Sequence, residues 1–172
     1  VEAFSSPERP RWASALLRAA LWLSLGSWVG AWGFFAFVVS RVAFRLLPGD
    51  VAGDLAGQLL GTLHYGGAAA AVVAAGAAFL LGRRGVFVLL PLGLAALCVA
   101  SELWLSPAVA ELRPSAVGAA ASEASSRLFA RLHALSIGLF LAIHLASIAL
   151  LVLHAWRDSR PGRSPASSPT LP

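Results

Sequence analysis

Three histidines and one glutamate sit inside otherwise apolar stretches, and these are the residues best suited to chemistry. His64 lies about a turn into one apolar run, and His133 about a turn into the last. Both runs start from the same side of the molecule, so the two imidazoles are expected at a shared depth. His144 follows His133 by eleven residues, close to three helical turns, and so belongs to the same face. Ser136, Phe140 and Ser147 join it there. Imidazole is the commonest metal ligand near neutral pH, and a pair of axial histidines can hold haem. The plainer reading is that these side chains bond helix to helix, the usual role of polar residues between membrane helices. His154, beside Trp156 and Arg157, is expected at the membrane interface.

Glu102 falls about two turns before the end of its run. An acid at that depth is costly and faces a partner or a cavity. One reading makes it a proton or cation ligand. The other pairs it with Arg41 or Arg45, which end the first run on the same side.

Helices must carry these residues, because the composition leaves no other vehicle. Hydrophobic residues make up 58% of the 172 residues and charged residues only 12%. A chain this short cannot hide so much apolar surface in a water-soluble globule, so lipid is the expected solvent. The 13 basic residues are all Arg, with no Lys, Met or Asn, which reads as the GC-rich coding bias of a bacterium. Without Lys, a P-loop and a Schiff-base lysine are excluded. A lone cysteine, Cys98, excludes an internal disulfide and a thiolate metal cage. The Arg residues flank apolar runs and suit anionic lipid headgroups, so no nucleic-acid partner is expected.

The expected fold class is all-α, a polytopic membrane protein built as a four-transmembrane-helix bundle. About 20 apolar residues cross a ~30 Å hydrocarbon core, and four runs suffice. Residues 15–156 form the transmembrane domain, with helices at about 19–45, 59–81, 86–110 and 128–154. Residues 1–14 are read as a flexible tail, 46–56 as a turn and short approach, 114–126 as a surface helix and 157–172 as a disordered tail. Close helix contact is expected at Gly26, Gly30 and Gly33, at Gly67, Ala71, Ala75 and Ala78, and at Pro91, Ala95, Cys98, Glu102 and Ser106. Gly26 and Gly30 could equally serve a homo-oligomer or another membrane partner.

Arg9, Arg11, Arg18, Arg83, Arg84, Arg157, Arg160 and Arg163 lie on one side, against Arg41, Arg45, Arg113, Arg127 and Arg131 on the other. The basic excess places both termini in the cytoplasm, in a bacterial inner membrane.

Three stretches carry a family likeness. They are Trp28-Val-Gly-Ala-Trp-Gly-Phe-Phe-Ala-Phe-Val-Val with Phe44-Arg-Leu-Leu-Pro48, then Ala56-Gly-Gln-Leu-Leu-Gly61 with His64-Tyr-Gly-Gly67, then Phe129-Ala-Arg-Leu-His133-Ala-Leu-Ser136. Over residues 20–155 the chain resembles the transmembrane-protein-205-like family of small four-helix membrane proteins, a domain-of-unknown-function family. That resemblance implies the fold and no activity. A more distant similarity to copper resistance protein D and to the HemJ protoporphyrinogen oxidases implies metal or haem handling by helix-borne histidine.

The leading expectation is a membrane binding or transport module for a metal ion, haem or small solute. His64, His133, Glu102 and His144 are its candidate ligands, with Arg41, Arg45 and Ser136 nearby. The rivals are a structural or assembly partner in the membrane and a HemJ-like haem-dependent oxidase.

Overall fold

The computed structural model describes residues 10–112 and 123–160. Residues 114–122 of the expected surface helix, residues 1–9 of the first tail and residues 161–172 of the last lie outside them.

Four helices long and apolar enough to cross a membrane make up nearly all of the described chain: α1 Arg11–Leu46, α2 Gly49–Leu80, α3 Val86–Glu111 and α4 Glu123–Ser159. All four apolar runs become helices, but each of α1, α2 and α4 begins earlier than its run. The first turn of α1 uses residues 11–14, expected in the tail. Residues 49–56, expected as turn and approach, are the start of α2, and α4 continues through Ser159. The reason is physical. A 32-residue helix is ~48 Å long at 1.5 Å per residue, so its ends reach beyond the hydrocarbon and there take polar residues. Asp50 in the first turn of α2 also meets the positive end of the helix dipole.

Local chemistry sets the turns. Leu47 is extended, at φ −111° and ψ 153°, because Pro48 disfavours the helical region for the residue before it. That ends α1 and starts α2 within two residues. At the other end of α2, Gly82 adopts φ +77°. Its N–H donates to the Phe79 carbonyl, and the Arg83 N–H donates to the Ala78 carbonyl. This is a Schellman cap, and it fixes where Arg83 leaves the helix.

Two helices contain a π-helical turn, Phe35–Val39 in α1 and Ser101–Leu105 in α3. The second precedes Pro107, which lacks an N–H and whose ring crowds the carbonyl four residues back. A wider turn relieves that conflict, and the Ser106 N–H bonds to the Ser101 carbonyl instead. Such turns concentrate at functional sites, and this one carries Glu102.

Helix α2 packs along α1 and α3, and α4 packs on α1 and α3, while α2 and α4 lie diagonally across without contact among the described residues. Small residues make the α2 contacts close: Gly67, Ala71, Ala74, Ala75, Ala77 and Ala78 are all buried. From α1 they receive Leu21, Leu25, Trp28 and Trp32, and from α3 Leu94, Ala95 and Cys98. Gly67 is the tightest point, where a Cβ would stand 2.7 Å from Trp28 Nε1. The expected α2 stripe is therefore found. A Cβ on Gly33 would meet the His144 ring at 3.8 Å, but one on Gly26 or Gly30 would meet nothing within 4 Å. Those two glycines face outward and do not pack within the described chain.

Candidate functional site

The site grows from the close approach of α2 and α3. Gly61 has no side chain, so the Glu102 carboxylate comes up against the α2 backbone; a Cβ there would stand 2.9 Å from Oε1. One turn further along α2, His64 Nδ1 lies 3.0 Å from Glu102 Oε2, and Ser106 Oγ donates to the same oxygen at 3.0 Å. His64 is 1% exposed, whereas the Glu102 side chain is 19% exposed. The pair shares one proton between a nitrogen and an oxygen. Either imidazole N–H donates to carboxylate, or carboxyl O–H donates to imidazole.

Trp32 of α1 backs the pair. Its indole N–H donates to the Leu63 carbonyl at 3.2 Å, and its ring meets His64 edge-on at 5.6 Å. The opposite contact is with α4. Phe140 stacks on Trp32 at 4.5 Å and 3°, and His144 lies near-parallel at 6.4 Å. His144 is buried, and its Nδ1 finds no partner among the described residues, as does Trp28 Nε1. Three helices, α1, α2 and α4, thus converge on one ring system, and α3 joins it through the Glu102 carboxylate on His64.

His64, Glu102 and His144 come together around Trp32; His133 does not join them. It is exposed and stacks on Phe129 at 5.5 Å. The eleven-residue spacing to His144 does give a shared face, but no described side chain of α4 before Ile143 is buried, and α4 lies diagonal to α2. Among the described residues, His64 and His133 therefore share no packing partner. Nor does Glu102 pair with Arg41 or Arg45, both exposed on the last turns of α1; its partner is His64. Ser136 is half-buried on α4.

Among the described residues, no three of His, Cys, Asp and Glu converge as a metal ion would require. The haem expectation fits no better. His64 and His144 both contact Trp32, at 5.6 and 6.4 Å, so that indole fills space that a porphyrin would need, and His133 is exposed on a helix that shares no contact with α2 among the described residues.

A second polar cluster closes the opposite end. Arg83, sent back by the Schellman cap, is 4% exposed; its guanidinium hydrogen-bonds His154 Nδ1 and donates to Asp158 Oδ1 at 2.6 Å. His154 is fully buried against protein beside Phe87, at 4.8 Å between rings, a burial that its neighbours in sequence did not suggest. The signal was present in the sequence: Ile143, Ser147, Leu150 and His154 are spaced four, three and four residues apart, the period of a buried helix stripe. Gly61 and Trp32 stand in the sequence only as members of the family-like stretches, and nothing there pointed to the role of either in the packing.

Helices and site together define an all-α polytopic membrane protein with an imidazole–carboxylate pair between its spans. Residues 23–117 match the family described as domain of unknown function (DUF4149), and the chain belongs to that family. The matched stretch contains Trp32, Gly61, His64, Arg83, Glu102 and Ser106, but neither His144 nor His154. No curated protein and no solved structure matches the chain.

Proposed function

We propose that the protein is a membrane binding and transport module that exchanges a proton at the His64–Glu102 pair when a small solute binds. The observation behind this reading is the pair itself. An imidazole and a carboxylate at 3.0 Å, buried between spans and exposed only at the carboxylate, become neutral as a pair on taking up a proton, and a bound cation balances the carboxylate when that proton is released. Helix locking alone would be served by two neutral polar groups. The stretches that resemble the transmembrane-protein-205-like family supply Trp28, Trp32, Gly61, His64 and Gly67 to this region, which supports extending the kinship to that family.

Everted membrane vesicles containing the protein, energised to be acidic inside, provide the test. Divalent metal ions, monovalent cations and small organic cations are added in turn, and a fluorescent ΔpH probe is followed. At least one class is expected to dissipate the gradient with wild type but not with Glu102→Gln. Identical traces for the two proteins with every class, both being folded, would return the pair to a structural role.

The Arg distribution supports a bacterial inner-membrane placement with both termini in the cytoplasm. A green fluorescent protein fused at the C-terminus is then expected to fluoresce, and alkaline phosphatase fused there to stay inactive. The reverse pattern would invert the topology.

A further inference from the structure

We infer that the solute taken by this site is a membrane-soluble organic cation, an amine or onium ion with an apolar body, entering sideways from the lipid. The inference rests on the proton-exchange reading and adds the ligand class.

An open groove of about 700 Å³ runs along the seam between α2 and α3. Its α2 wall begins at Ala68, one turn from His64, and includes Val72; its α3 wall includes Ala96 and Val99 and ends at Leu103 and Trp104, the residues directly after Glu102. Every lining residue is Ala, Val, Leu or Trp. The groove and the pair therefore lie between the same two helices, and the groove's lining, which includes neither Glu102 nor His64, ends at the residues that follow Glu102 in the chain. Of the two partners it is Glu102 that has exposed surface, 19% against 1% for His64. An occupant with an apolar body and a positive head is complementary to both parts. A neutral lipid chain matches only the walls, and an anion is repelled by the carboxylate. Trp104, 73% exposed at the groove's end, offers a ring face that attracts cations.

The exchange balances in charge and protons. With one proton added to the imidazole–carboxylate form, the site holds either His64 imidazolium with carboxylate or neutral imidazole with carboxylic acid. The cation takes its place beside the carboxylate, and that added proton leaves to water, so the site's net charge is the same before and after. The groups facing Glu102 are His64 from α2 and Ser106 from its own helix, with Trp32 of α1 behind His64 and His144 of α4 behind Trp32. Arg41 and Arg45 are exposed.

Tetraphenylphosphonium and tetraphenylborate have nearly the same shape and opposite charge. Equilibrium dialysis of both against the detergent-purified full chain, with proton release followed in weak buffer, decides the matter. Saturable phosphonium binding is expected, with about one proton released per cation and affinity falling as pH is lowered. Glu102→Gln is expected to weaken it by about tenfold or more, which is 1.4 kcal/mol or more. Ala96→Phe, which fills the exposed groove and leaves the pair intact, is expected to weaken it comparably, and it decides the question if Glu102→Gln fails to fold. Tetraphenylborate is expected not to saturate. Equal binding of both ions, or phosphonium binding unchanged in both variants, would show a groove that takes any apolar body and would overturn the inference. If phosphonium does not bind while metal ions still collapse the vesicle gradient through Glu102, this ligand class falls and the proton-exchange reading stands.

Discussion

Replacing Trp32 with alanine is expected to lower stability by about 3–5 kcal/mol and to dismantle the site. The side chain is 1% exposed and touches Trp28, His64, Phe140 and His144. Helices in lipid gain little from apolar burial as such, because lipid is as apolar as the protein; they gain from close packing. A lost indole at the point where α1 meets α2 and α4 leaves a void that helix backbones cannot close. Trp32→Phe keeps a ring against Phe140 but removes the hydrogen bond to Leu63, and is expected to cost about 1 kcal/mol. Unfolding in mixed micelles, followed by circular dichroism, gives both values. A Trp32→Ala protein as stable as Trp32→Phe would mean that the ring is not the centre of the packing.

Arg83→Ala is expected to cost about 3 kcal/mol. The guanidinium is buried and joins the α2–α3 turn to the last turns of α4 through His154 and Asp158. Removing it strands the Asp158 carboxylate and a fully buried imidazole. Asp158→Ala is expected to cost less, about 1–2 kcal/mol, since that side chain is 29% exposed and water meets part of its loss. The double variant should be less destabilised than the sum of the singles, because the two residues act as one unit. Strict additivity in that cycle would show that the ion pair does not couple the two elements.

How much of this was legible in the sequence differs from residue to residue. The four spans were, because about 20 apolar residues in a row have little alternative to a membrane helix. Their ends were not: Asp50 and Asp54 look like turn residues in a linear reading, yet a helix that outreaches the hydrocarbon accepts acids in its first turns. His64 and Glu102 stood out as polar residues in oily segments, but their partnership did not. Arg41 and Arg45 end the first span on the side expected, but α1 and α3 share no contact among the described residues; the choice of partner depends on which helix faces which, and spacing within one helix does not carry that. His133 shows the complementary error. Its register with His144 is real, but the first fully buried side chain of α4 is Ile143, so the same face is buried at one histidine and open at the other. Gly61 matters because of a carboxylate 41 residues away, a relation visible only once α2 and α3 are packed.

Infrared difference spectroscopy in lipid nanodiscs tests the proton-exchanging pair most directly, with wild type, Glu102→Gln, His64→Gln and Gly61→Ala titrated over the pH range in which all stay folded. The expected result is a carboxyl C=O band that grows reversibly in wild type as pH falls. It should be absent in Glu102→Gln and shifted in His64→Gln, which removes the partner, and in Gly61→Ala, whose methyl group presses on Oε1. Wild-type and Glu102→Gln spectra that coincide in the carboxyl region at every pH would contradict the account, leaving His64 and Glu102 as a fixed tie between two helices.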